Sequence, residues 1–181
     1  MNFPGSGIIK GLAVTARNAL GSYFDRARAK RLITRQYPEE RPVLPEASRS
    51  FPFLIYDNDD PERGIRCVAC KICEIECPPQ CIYIELERDA NGKSLKRPKI
   101  FNIDISVCMG CQICAEVCPF ESIRMDNVFE KSNYDRFDSL LLRKEQLLKS
   151  NAYYRYIKPT ECAETDAIRL KKQKSKSEVV A

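Results

Sequence analysis

Cys67-Val68-Ala69-Cys70-Lys71-Ile72-Cys73-Glu74-Ile75-Glu76-Cys77-Pro78 and, 41 residues on, Cys108-Met109-Gly110-Cys111-Gln112-Ile113-Cys114-Ala115-Glu116-Val117-Cys118-Pro119 are one pattern written twice. Three cysteines at i, i+3 and i+6 let one short loop wrap a cubane iron–sulfur cluster and cap three of its irons. The fourth, three residues further and followed by proline, begins a turn away from that cubane. In chains with two [4Fe–4S] clusters this fourth cysteine ligates the other cluster. The expected ligands are therefore Cys67, Cys70, Cys73 and Cys118 for the first cluster, and Cys108, Cys111, Cys114 and Cys77 for the second. Crossed ligation accounts for the repeat, because neither half completes its own site. Pro78 and Pro119 fix φ at the turn and lack an N–H.

Other uses of these cysteines fit less well. A disulfide framework requires an oxidising compartment, and nothing in the sequence directs the chain to one. Structural zinc prefers Cys pairs separated by a longer loop, not a triple run ending in Cys-Pro. Histidine is absent, which removes imidazole zinc ligands, Rieske-type ligation and His-based acid–base schemes. All eight ligands are present, so two cubanes are favoured over a [3Fe–4S] form. Cys81 aligns with Ser122 in the repeat and is expected to fill a small core site beside a cluster. Cys162, in a polar segment, is expected to be a free thiol. Ile65, Ile72, Val107, Ile113 and Phe120 are expected to wall the clusters from water.

Working outward, Cys77-Pro78-Pro79-Gln80-Cys81-Ile82-Tyr83-Ile84 aligns with Cys118-Pro119-Phe120-Glu121-Ser122-Ile123-Arg124-Met125. Between the halves, Ile82 to Glu87 and Lys99 to Ile103 alternate as strands do, with turn chemistry at Asp89-Ala90-Asn91-Gly92. Upstream, Ile8, Leu12, Ala16, Ala19, Tyr23 and Ala27 recur at helical spacing, with Lys10, Arg17 and Arg28 on a flank away from that stripe. Pro38, Pro42, Pro45, Pro52 and Pro61 mark an extended connector. Downstream, Phe137 to Lys149 reads as a helix. The expected organisation is an α+β chain with an amphipathic helix over 1–36, a connector over 37–64, a cluster domain over 65–126, a helical extension over 127–170 and a basic mobile tail over 171–181.

The net charge of +5 conceals a division. Residues 1–49 carry net +5 and residues 169–181 net +4, around a middle of net −4. Two clusters, at roughly −2 each with their thiolates, would take that middle to about −8. Apolar runs such as Leu140-Leu141-Leu142 stop far short of the ~20 residues a bilayer span needs. Lys10 interrupts the one candidate signal core, so the chain is expected to be intracellular and unprocessed, with an organelle import signal as the lesser alternative. Gly5-Ser6-Gly7 lacks the third glycine and the preceding strand of a dinucleotide loop. No catalytic site is expected in the chain itself.

The core resembles bacterial-type 2[4Fe–4S] ferredoxins. The whole chain is similar to subunit I of proton-pumping NADH–quinone oxidoreductase, respiratory complex I. That wider likeness rests on the basic amphipathic N-terminal segment, on Gln36-Tyr37-Pro38-Glu39-Glu40, and on Asn127-Val128-Phe129-Glu130 leading to Leu142-Arg143-Lys144-Glu145-Gln146-Leu147-Leu148. The resemblance implies a ferredoxin-like, pseudo-twofold core relaying single electrons from NADH-side clusters toward a terminal cluster and quinone, which it meets only indirectly. It also implies neighbouring iron–sulfur and membrane-arm subunits as partners, and peripheral membrane contact through residues 6–36. The location implied is the cytoplasmic side of the cell inner membrane, or an organelle inner membrane as the lesser alternative. Arg63-Gly64-Ile65-Arg66 and the basic tail have no match in the family pattern. Rival functions are a soluble ferredoxin, the ferredoxin-like subunit of a membrane hydrogenase, and a zinc-stabilised nucleic-acid module. The last lacks aromatic interleaving among its basic residues, and no nucleic-acid partner is expected.

Overall fold

The computed structural model describes residues 5–25, 35–58 and 60–180. Two compact units are present, Met1–Val43 and Leu44–Ala181. In the first, helix α1 spans Ser6–Phe24 and buries none of its residues. It is shorter than the expected 1–36: Asp25 leaves helical geometry at φ −79°, ψ 78°, and Arg35 and Gln36 are not helical. Ala27 and Arg28 lie outside the described residues. The apolar stripe is nonetheless presented to solvent, with Ile8, Leu12 and Tyr23 at 71%, 65% and 83% exposure.

The second unit is a mixed α+β body with two small sheets. Strand β1 (Pro52–Tyr56) is central in one sheet, antiparallel to β4 (Ile123–Met125) and parallel to β6 (Leu148–Ser150). In the other, β2 (Ile82–Arg88) and β3 (Ser94–Asp104) pair antiparallel, and β5 (Leu141–Leu142) extends β3. The expected hairpin is present: Gly92 takes φ 77°, its N–H donates to Asp89 O at 2.8 Å, and Asp89 N–H donates to Lys93 O. Gly at that left-handed position avoids the Cβ clash that other residues meet.

Two expectations give way here. The connector over 37–64 contains β1, because Phe53-Leu54-Ile55 is a continuous apolar run able to bury both faces of a strand, with Pro52 at its first position. The helix expected over Phe137 to Lys149 is instead β5, one turn of helix α4 (Lys144–Leu147) and β6. There Leu142 pairs with Ile103 and Leu148 with Leu54, so sheet pairing outweighs a good local helix propensity. The C-terminal helices are α5 (Asn151–Ile157) and α6 (Pro159–Val180). Helix α6 takes in residues 171–180, which the sequence suggested as a mobile tail.

Strand β1 divides two cores. Leu54 faces the first, with Ile84, Phe101, Ile103, Ile123 and Leu147. Phe53 and Ile55 face the second, with Tyr154 and Cys162, as strand alternation requires. Cys162, on α6, is a free thiol as expected, but it is fully buried in this second core although the segment around it is polar. Burial pushes its pKa up.

Candidate iron–sulfur centre

The two cysteine runs fold alike, residue for residue. Left-handed backbone occurs at Ala69, Lys71 and Gln80 (φ 55°, 64° and 50°) and, 41 positions on, at Gly110, Gln112 and Glu121 (φ 63°, 72° and 53°). Left-handed residues set among right-handed ones turn successive N–H groups toward one concavity, the arrangement that many iron–sulfur sites use. After Lys71 and Gln112 come the one-turn helices α2 (Ile72–Ile75) and α3 (Ile113–Glu116), which hold Cys73 and Cys114. Each fourth cysteine opens a turn, closed by Gln80 N–H to Cys77 O at 3.0 Å and by Glu121 N–H to Cys118 O at 3.4 Å. Strands β2 and β4 then begin at Ile82 and Ile123. Gly110 replaces the alanine of the first run because a Cβ there would lie 3.1 Å from Ser50 O.

These loops line two hollows. The first is lined by Cys67, Cys70, Cys73 and Cys118, against Leu54, Ile84, Phe101 and Ile123. The second is lined by Cys108, Cys111, Cys114 and Cys77, against Pro52, Ile82 and Met125. Each hollow thus gathers three thiols of one run and the proline-preceding thiol of the other. Of the expected apolar walls, Ile72 and Phe120 line the first hollow, whereas Ile65, Val107 and Ile113 line neither. Strand residues replace them, because the pleat directs Ile82, Ile84 and Ile123 inward.

The donor set fits a [4Fe–4S] cluster in each hollow. Among the described residues no three Cys, Asp or Glu side chains converge as ligands of a single ion would. Thiols spread around a hollow instead suit a group of several atoms. Burial drives Cys67 up to about 11 and both Cys73 and Cys114 up to about 12. Burial thus disfavours the free thiolates at these positions, and a bound cluster would take these sulfurs as thiolates with release of their protons. Backbone donors already point at sulfur: Ala69 N–H to Cys67 Sγ at 3.5 Å and Ser122 N–H to Cys118 Sγ at 3.4 Å.

Cys81 sits where the repeat places it, buried against the second hollow, with its Sγ 3.5 Å from Cys77 Sγ. Interaction between the Cys81 and Cys108 thiols lowers the pKa of Cys108 and raises that of Cys81. Its counterpart Ser122 lines the first hollow, 2% exposed, and its Oγ has no hydrogen-bond partner. That Oγ lies near enough to Cys67 to favour its thiolate, though it makes no hydrogen bond of ordinary geometry. The alignment of the repeat pointed to this position, but not to an unmet hydroxyl.

Several charged residues that pattern reading did not single out hold the C-terminal helices on this core. Arg66, with 1% of its side chain exposed, pairs with Asp57 at 2.7 Å and Asp166 of α6 at 3.5 Å. Arg124 donates to Ala115 O at 3.0 Å and pairs with Glu121 and with Glu161 of α6. Glu46 Oε1 accepts from Thr160 N–H at 2.6 Å and Glu161 N–H at 3.0 Å, capping α6. Those donors hold the Glu46 carboxyl below the usual range, with Glu161 N–H the largest influence. Lys158, 2% exposed, meets Ser48 O and Glu161, both at 3.2 Å. Interior charges of this kind break the hydrophobic pattern and read as surface until their partners are known.

The family described as 4Fe-4S dicluster domain matches residues 66–122. NADH-quinone oxidoreductase subunit I 2 of Streptomyces coelicolor is 35% identical over 140 residues, 73% of this chain and 62% of that relative's length. The protein of the same name from Geobacter metallireducens is 33% identical over 117 residues, covering 65% of this chain and 84% of its own. NADH-quinone oxidoreductase subunit I of Pseudomonas putida is 37% identical over 143 residues, covering 79% and 74% respectively. Among solved structures, a chain of the membrane-bound sulfane sulfur reductase, an archaeal respiratory complex, covers 78% of this chain and 67% of its own. Its identity is 17% and its TM-score 0.45, too loose a likeness to bear on function. Among the described residues no helix is long and apolar enough to cross a membrane. The doubled cysteine loops and the extent of these alignments agree: this chain belongs to the NADH-quinone oxidoreductase subunit I family, and residues 66–122 are its two-cluster [4Fe–4S] domain.

Proposed function

We propose that the chain is a one-electron relay in the peripheral arm of an NADH–quinone oxidoreductase, taking electrons from NADH-side clusters and passing them toward a terminal cluster and quinone. When bound, the two [4Fe–4S] clusters supply the one-electron exchange. Cys67, Cys70, Cys73 and Cys118 hold one, Cys108, Cys111, Cys114 and Cys77 the other, in a pseudo-twofold core. The observation that carries this reading is the make-up of the hollows, three thiols from one run and one from the other, twice over. The chain's own contribution is to hold eight sulfurs in place and to wall them with Leu54, Ile84, Phe101 and Ile123 on one side and Ile82 and Met125 on the other. The wall shields the strand-facing side of each hollow while Cys70 stays exposed, and N–H donors at Ala69 and Ser122 offset charge on the sulfurs.

Helix α1 bears on where the relay works. A freely diffusing carrier has no use for a helix whose apolar residues are all exposed. We assign this segment to docking at the junction of neighbouring iron–sulfur and membrane-arm subunits, on the cytoplasmic side of the inner membrane, with the quinone met only through them. Iron and acid-labile sulfide analysis of the anaerobically prepared chain, with electron paramagnetic resonance (EPR) after reduction, tests the relay. About eight irons per chain with matching sulfide and two reducible signals are expected. Two zincs without sulfide, or a colourless folded preparation despite supplied iron and sulfide, would reject it.

A further inference from the structure

The two halves of the core differ at one position that the repeat makes equivalent. In the second half Cys81 occupies it, and its thiol, a weak donor, is in hydrogen-bond contact with Cys77 Sγ at 3.5 Å. In the first half it is Ser122, whose hydroxyl is a stronger donor and has no partner. The backbone fixes where that hydroxyl sits. Ser122 N–H is held by Cys118 Sγ at 3.4 Å, and Ser122 O accepts from Ile55 N–H of β1 at 2.8 Å. A buried hydroxyl without a partner carries the desolvation cost of an unmet donor, so the site has room for an acceptor. The groups it faces are sulfurs: Cys67 and Cys118 line the same hollow.

We propose that the Ser122 hydroxyl donates a hydrogen bond to a sulfur of the cluster held by Cys67, Cys70, Cys73 and Cys118, and thereby raises the reduction potential of that cluster and not of the other. This rests on the cluster assignment given above. The direction follows from charge. Reduction adds one electron and makes the sulfurs more negative, so a fixed O–H dipole aimed at them stabilises the reduced state more than the oxidised one. The effect is local because the second cluster has Cys81 at the matching place. Ser122 is thus a tuning residue, one step removed from the ligands, that makes two sites of the same ligand pattern inequivalent.

Potentiometric titration of the full-length chain with both clusters, followed by EPR, reads this directly. In Ser122→Ala the one-electron reduction equilibrium of one cluster should fall about tenfold, a midpoint about 59 mV lower. The other midpoint should stay in place. Ser122→Thr, which keeps the hydroxyl, should retain the parent value, and Ser122→Cys should fall between them. Cys81→Ala should move the cluster that Ser122→Ala leaves alone. The inference is overturned by an unmoved pair of midpoints across the Ser, Thr, Cys and Ala series, by both midpoints moving together, or by a rise in Ser122→Ala. Iron and sulfide counts on the parent chain separate the causes: absent clusters overturn the relay reading and this inference together, whereas loaded clusters with unmoved midpoints overturn this inference alone.

Discussion

Gly64→Ala is a small change with a large expected cost. Gly64 lies just ahead of the first cysteine run, and a Cβ there would stand 1.9 Å from Asp57 O, 2.7 Å from Asp60 O and 2.9 Å from Asp57 C. All three are backbone atoms, so no side chain can swing aside. Relief requires the loop to open, which threatens Asp57 N–H to Gly64 O at 2.9 Å and Gly64 N–H to Asp60 O at 2.8 Å. Overpacking costs about 1–3 kcal/mol and each lost hydrogen bond about 1 kcal/mol, so a loss of roughly 3–5 kcal/mol is expected. Damage should extend to Arg66, whose N–H donates to Ile55 O and whose guanidinium joins Asp57 to α6. Urea unfolding of the loaded full-length chain measures the stability change, and cluster-specific EPR signals report whether the Cys67 site loosens before the Cys108 site. A loss below about 1 kcal/mol, within the range of ordinary surface substitutions, would refute this account of the lead-in.

Three further outcomes are expected. Cys77→Ser should perturb the EPR signal of the cluster held by Cys108, Cys111 and Cys114; a change confined to the Cys67–Cys73 cluster would reverse the crossed assignment. Removal of residues 1–36 should abolish recovery of the chain with membranes in its host, and unchanged recovery would reject the docking role of that segment. Glu46→Ala should destabilise the fold near neutral pH, since the capping carboxylate has its pKa lowered in the folded state by the N–H groups of Glu161 and Thr160. A carboxyl of this kind stabilises fully above the ordinary Glu range, about 4.3, and loses its contribution as pH falls through the lower folded value. The gap between parent and variant unfolding midpoints should therefore hold steady from pH 8 to about 6 and narrow below about 4. A gap independent of pH would show that the carboxylate charge is not what caps α6.

The cluster domain was legible because its constraint is local. Spacing of three, three and four residues decides which thiols one loop can aim inward, and the proline after each fourth cysteine marks where the chain must turn away. The β2–β3 hairpin was legible for the same reason, since alternation and a turn residue act over a few positions. Strand β1 was not. Its apolar run is short and set among prolines, and its partners Ile123 and Leu148 lie far along the chain. Likewise Phe137 to Lys149 reads as one helix by itself, yet it breaks into β5, the single turn α4 and the start of β6 because Ile103 and Leu54 offer hydrogen-bonding edges.

By itself, then, the sequence supplied the candidate donor atoms: eight thiols in two runs of one pattern, with imidazole absent. Tertiary structure decided what surrounds them. It placed β1 between two cores, pinned α6 through Arg66, Arg124 and Glu46, and left the Ser122 hydroxyl facing sulfur without a partner. Ligand spacing is set by bonds along the chain, whereas burial and the pairing of charges depend on residues that meet only after the chain has folded.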